Sequence, residues 1–153
     1  MKNDDQKKSN SAGSSEAEGG AEREAEQEIA KELNALSRAL MNVHRSLLRF
    51  QKEVYEGLEG VPLTPYNVLN LSLTHPDFEW LRMLSTLIAK IDETVDEDGA
   101  VLADFQPEVT ATLRAIFIDE TQHVTFKNRF KLALASDPSL YLEFSELRKF
   151  LPK

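Results

Sequence analysis

Residues 29–54 read IAKELNALSRALMNVHRSLLRFQKEV, and this stretch decides the fold. Its apolar positions Ile29, Leu33, Leu36, Leu40, Val43, Leu47, Phe50 and Val54 follow one another at alternating intervals of four and three. That spacing holds one narrow stripe on one side of an α-helix, the heptad seam of bundles and coiled coils. Carried to the glycines that follow, it predicts a helix about 45 Å long at a rise of about 1.5 Å per residue. Gly57, Gly60 and then Pro62 end the pattern, because glycine accepts the left-handed cap of a helix and proline cannot continue one.

Downstream, Pro65, Pro76, Pro107 and Pro138 each stand just before an apolar run with helical spacing. Proline is well tolerated at the first helical position, where its missing N–H would have no intrahelical partner. Thr64 and Asp137 are good N-caps, and His75 is expected to satisfy free N–H groups of the helix it precedes. The prolines predict a short helix from Pro65 to about Leu73 and a long one from Pro76 to about Val95. In the long one, apolar residues from Trp80 to Val95 cover an arc of roughly 160°, which marks it as the hub of the fold. A third helix is expected to start at Pro107 and use Val109, Leu113, Ile116, Phe117 and Val124. Its apolar surface then drifts toward Phe126, Phe130 and Leu134, which predicts a bend near Thr121. A last short helix follows Asp137-Pro138 and packs through Leu140, Phe144, Leu147 and Leu151. No stretch alternates with period two long enough to make a strand. The expected fold is all-α: an antiparallel three- or four-helix bundle over residues 29–153, with short extra helices.

Upstream of the seam, residues 1–28 contain no Leu, Val, Phe, Tyr or Trp, and carry eight acidic and four basic residues. Such a segment buries too little apolar area to offset its ordering entropy, so it reads as a disordered acidic tail. It has no apolar signal region, and no later run is long enough to cross a bilayer, so a cytoplasmic setting is expected. The chain has no cysteine, which excludes disulfides, thiolate nucleophiles and cysteine-ligated metal centres. Its net charge of −8 divides equally between tail and remainder, which argues against nucleic acid as a partner.

The phrase Asp77-Phe78-Glu79-Trp80-Leu81-Arg82-Met83-Leu84-Ser85-Thr86-Leu87-Ile88, closing with Ile91-Asp92-Glu93, resembles one found in a family of small all-helical bacterial proteins of uncharacterised function. Arg129-Phe130, Asp137-Pro138 and the terminal Leu147-Arg148-Lys149-Phe150-Leu151 look like the end of the same family. The resemblance implies a bacterial cytoplasmic helical domain and brings no catalytic residues with it.

The best metal-site candidate is Glu120-Thr121-Gln122-His123, since a Glu and a His three apart share one side of a helix and can hold one ion. Di-iron bundles need that unit twice, and it occurs once. On a helix, Glu120 would sit near the centre of the apolar face, paired with Lys127 or a neighbouring base. The metal reading would instead use Glu120 and His123, with His44 or Glu53 opposite. His44 lies on the flank of the seam beside Gln51 and Tyr55, where a half-buried, hydrogen-bonded histidine is expected. There is no Gly-x-Ser-x-Gly elbow and no glycine-rich phosphate loop. The acids Asp92, Glu93, Asp96, Glu97 and Asp98 lack the ligand spacing of a calcium loop and read as a solvated helix end.

A better organised pattern is basic. Lys31, Arg38, Arg45 and Lys52 recur every seven residues on the side of the first helix opposite its seam, with Arg49 near the same line. In an acidic protein such a row suits an acidic partner, or the chain's own acidic tail. The sequence therefore predicts a non-enzymatic interaction module that binds another protein or itself through the first helix. No cofactor, membrane or small-molecule substrate is expected.

Overall fold

The computed structural model describes residues 12–96 and 99–153. It is all-α, with no strand among the described residues. Helix α1 spans Ala12–Glu59, α2 Pro65–Thr74, α3 Arg82–Val95, α4 Gly99–Phe117, α5 Val124–Ser136 and α6 Pro138–Leu147. A 3₁₀ segment, Pro76–Leu81, leads into α3, and another, Arg148–Phe150, follows α6.

The heptad seam becomes the axis of the core. Leu33, Leu36, Leu40, Val43 and Leu47 are buried, whereas Ile29 is only half-buried and Val54 is exposed. Helix α1 ends as expected, with Gly60 at φ 71° and its N–H bonded 2.8 Å from the Glu56 carbonyl. Small residues widen the stripe. Ser37, Ala39, Ser46 and Gln51 are buried too, so the covered arc reaches roughly 180° at 100° per residue. With that width, α1 packs against α3, α4, α5, α6 and the first 3₁₀ segment. The hub is therefore α1 and not the helix after Pro76. The expected arc of that helix is split, because Trp80 and Leu81 belong to the 3₁₀ segment while Leu84, Leu87 and Ile91 form the buried side of α3.

The helix expected to begin at Pro107 begins at Gly99, with Pro107 inside it. An internal proline forfeits one backbone bond and crowds the preceding turn. Burial of Leu102, Phe105, Val109, Leu113 and Ile116 on one side offsets that cost. Each fully buried side chain of this kind contributes about 1.5–3 kcal/mol. The bend predicted near Thr121 is a complete break between Phe117 and Val124.

Residues 12–28, read from composition as disordered, continue α1. Ala, Glu, Gln and Arg are strong helix formers, and an existing helix extends without the cost of a new nucleus. Residues 1–11 of the expected tail lie outside the described residues, as do Glu97 and Asp98 of the acidic cluster.

The caps read from the sequence form as expected. Thr64 and Asn67 make a capping box at α2, and the His75 Nδ1 accepts a bond from the Asp77 N–H at 3.1 Å. The Asp137 carboxylate accepts from the N–H groups of Ser139 and Leu140 and from the Ser139 hydroxyl. It also pairs with Arg49 at 3.1 Å. These bonds, led by the Ser139 hydroxyl, hold its pKa below the ordinary carboxylate value. Asp137→Ala is expected to cost about 1–2 kcal/mol, in the upper half of the capping range because the ion pair goes with the cap. Urea unfolding at neutral pH checks the value. The loss should shrink as pH falls through the depressed pKa, since the protonated carboxyl no longer stabilises the native state.

Candidate interaction surface

Local sequence makes α2 a helix. Pro65 opens it, the capping box holds its first turn, and Arg82 closes its last, donating from Nε to the Ser72 carbonyl and from Nη2 to the His75 carbonyl, both at 3.1 Å. Upstream, the Leu63 N–H bonds to the Glu56 carboxylate at 3.3 Å. These polar ties help hold α2 in place beside the half-buried Val68 and Leu71, since the helix contains no fully buried residue. Tyr66, Leu69 and Leu73 are 70%, 56% and 65% exposed. At intervals of three and four they share one side of the helix.

Between α1 and α2 runs a groove of about 400 Å³. Its apolar wall includes Leu48, Val68 and Leu69, and three cations of the predicted row, Arg45, Arg49 and Lys52, line it. The row itself faces outward, with Lys31, Arg38 and Arg45 all exposed. Two of its members have partners within the molecule. Arg49 donates to Asp137 (3.1 Å), Ser46 (3.3 Å) and Ser139 (3.4 Å), which ties α1 to the start of α6. Lys52 lies 3.6 Å from Glu56, one turn along α1. Among the described residues Lys31, Arg38 and Arg45 make no ion pair. Exposed bases without an ion pair therefore line the outer side of α1, and one of them, Arg45, also lines the groove.

The metal candidates do not assemble. Glu120 and His123 lie in the break between α4 and α5, both exposed, so the helical spacing that would have joined them is absent. Asp119 organises this break. Its carboxylate accepts from the Thr121 N–H (2.9 Å) and hydroxyl (2.8 Å) and from the Gln122 amide (3.1 Å), and the Thr121 N–H bond leads in lowering its pKa. His123 then turns the chain at φ 49°, a left-handed conformation rare for any residue with a side chain. Lys127 does not pair with Glu120; its ammonium donates to the Ala115 carbonyl at 2.8 Å and to the Gln122 carbonyl, capping the end of α4. Desolvation lowers the Lys127 pKa, and Asp119 opposes that shift. Glu53 is exposed on α1. Among the described residues no three His, Asp or Glu side chains are placed to hold one ion.

His44 is half-buried on the flank of the α1 stripe, and burial holds its imidazole below the ordinary value of 6.5. The unfolded chain therefore takes up the proton first. The contribution of His44 is complete above the unfolded pKa and declines as pH falls from there toward the folded pKa. His44→Gln is expected to flatten the fall in stability between about pH 7.5 and 5.5, a window around the ordinary histidine pKa. Parallel urea titrations of the two proteins measure it.

A second hollow, of about 480 Å³, has Trp80, Met83 and Phe126 among its lining residues, with Glu79, His123 and Arg129 beside them. Arg129 is already in use, its guanidinium 5.8 Å from the Trp80 ring centre and donating to the Asp77 carbonyl at 3.3 Å. This hollow joins the 3₁₀ segment to α5, and sequence spacing carried no sign of it. The exposed side of α2 was equally hidden, because its leucines look like any core run until their neighbours are known. No described helix is long and apolar enough to cross a membrane. Compared with protein-family models, curated proteins and solved structures, the chain matches none.

Proposed function

We propose that this chain is a non-enzymatic helical interaction module that docks another protein on the face formed by α1 and α2. In this reading its longer helices form an antiparallel bundle of three or four members in a cytoplasmic setting, and α2 is carried outside the bundle as part of the binding face. The observation that carries the reading is that α2 has no fully buried residue and that Tyr66, Leu69 and Leu73 stand open beside a cation-lined groove. Folding gains little from Tyr66, Leu69 and Leu73, since side chains left in water forfeit the roughly 1.5–3 kcal/mol that burial would yield. An apolar stripe edged by charge is the usual form of a surface completed by a partner. The cations define that partner's chemistry: an acidic, amphipathic protein segment.

The test uses the full chain as bait in extracts of the cells that make it, beside the variant Tyr66→Ser/Leu69→Asp/Leu73→Asp. The variant is expected to unfold within about 0.5 kcal/mol of the wild type, as exposed substitutions do. It should retain the wild type's partner at least tenfold less well. Equal recovery of the same partner by both baits would remove α2 from the function.

A further inference from the structure

Helix α2 is attached to the molecule at its ends and hardly along its length. Its backbone approaches the 3₁₀ segment that follows it and stands off from α1, with the groove between them. None of its residues is fully buried, and only Val68, Leu71 and Ser72 are half-buried. It also carries no charged residue, so no ion pair ties it down. Among the described residues, the bond from Arg82 Nε to the Ser72 carbonyl is the only hydrogen bond that links residues 65–74 to another element.

The two ends are built differently. After α2 the joint is one residue, His75, and it is fixed to the rest of the molecule. Its ring lies edge-on to Tyr55, with ring centres 5.4 Å apart, and to Phe78 at 6.4 Å, while its Nδ1 accepts the Asp77 N–H. Before α2, residues 60–64 form a connection without helical structure that starts at Gly60, in the left-handed conformation at φ 71°. The Leu63 N–H restrains it through a long bond of 3.3 Å to the Glu56 carboxylate. Arg82 spans the other joint. Its Nη2 holds the His75 carbonyl and its Nε the Ser72 carbonyl, one of the last four carbonyls of α2, which have no partner within the helix.

Segments with few buried contacts open at a lower free energy than the whole molecule unfolds. We infer that α2 is a flap on the groove: it leaves α1 as a unit, turning at residues 60–64 and just before His75, and Arg82 is the clasp that holds it shut. Free of the rest of the molecule, a helix of ten residues is too short to persist, so opening also releases its backbone hydrogen bonds. Resting on the reading of α1 and α2 as a docking face, the flap adds its regulation. A segment that touches both walls of the groove binds the closed form and holds the flap shut. Arg82 sets how much closed form that segment meets.

Native-state hydrogen exchange of the full, free chain, wild type beside Arg82→Gln, reads the opening. In the wild type, amides from Val68 to Thr74 are expected to share one opening constant, about a hundredfold or more above that of Leu36 to Leu47 in α1. Arg82→Gln should raise it about fivefold or more, as loss of a charged donor to two carbonyls requires, with no equal rise from Leu87 to Ile91 in α3. Circular dichroism checks that the variant is folded, and the wild-type comparison stands without it. No partner is present, so capture and exchange fail separately: a flap without capture loses only the docking reading, and capture without a flap loses only the hinge. Exchange of α2 only through global unfolding overturns the flap, as does a gradient that fades from Thr74 toward Val68, the mark of end fraying. Equal acceleration of α2 and α3 in Arg82→Gln overturns Arg82 as the clasp.

Discussion

Leu40→Ala is expected to lower the unfolding free energy by about 3–5 kcal/mol, the upper part of the range for a buried leucine. Leu40 is completely buried in the middle of α1, the helix against which α3, α4, α5 and α6 all pack. Leu40 belongs to the buried core cluster, so a cavity there is walled by packed side chains that relax only partly. Domains of this size are stable by only about 5–15 kcal/mol, so the loss is a large fraction of the total. Urea unfolding should show a lower midpoint with an unchanged slope. Leu69→Ala on α2 is the matched control, the same deletion at a side chain 56% exposed. It should cost less than about 0.5 kcal/mol beyond small propensity effects. A cost at Leu69 comparable to that at Leu40 would mean that α2 belongs to the core.

The second large effect concerns the buried polar pair between α1 and the 3₁₀ segment. The Trp80 Nε1–H donates to the Gln51 side-chain amide oxygen, Oε1, at 3.0 Å inside the core. Gln51→Leu keeps the volume but leaves the indole N–H without an acceptor, at an expected cost of about 1–3 kcal/mol. Trp80→Phe leaves the Gln51 amide unsatisfied and also opens space beside Phe126, whose ring centre lies 5.7 Å away. The double variant Gln51→Leu/Trp80→Phe removes both polar partners together. Its loss should fall short of the sum of the single losses by about 1 kcal/mol or more, the coupling expected of a direct bond. Strict additivity would mean that the bond contributes nothing.

What the sequence discloses here is mostly local. The stripe from Leu33 to Leu47, the capping box at Thr64, the His75 cap and the Asp137 start all depend on residues within a turn or two of each other, and all form. The start of α4 was missed because Pro107 suits a first helical position. Yet Leu102, Phe105, Val109, Leu113 and Ile116 keep intervals of three and four straight across the proline. Their shared burial decides between a helix that starts at the proline and one that accommodates it. The role of α1 as hub was obscured by size, since a count of large apolar residues overlooks Ser37, Ala39 and Ser46. Those small side chains allow close approach and carry polar bridges, Ser37 to Asp92 at 2.7 Å and Ser46 to Glu143. Glu120 and His123 were read on a helix because Glu-x-x-His spacing has meaning only there, and they lie instead in the break between α4 and α5. Asp119, two residues before Thr121, is the Asx-turn signal that breaks it. The basic row was legible because exposure on α1 follows from the position of the seam. The open side of α2 was not, because burial there depends on which elements fail to arrive.

The central claim, that α1 and α2 present the binding face, is tested most directly by a hydrogen-exchange footprint of the full chain with the partner it captures. Exchange is expected to slow in α2 and in residues 41–52 of α1, with α5 and α6 unchanged. Protection confined to α5, α6 or the hollow beside Trp80, with α2 exchanging as in the free protein, would contradict it.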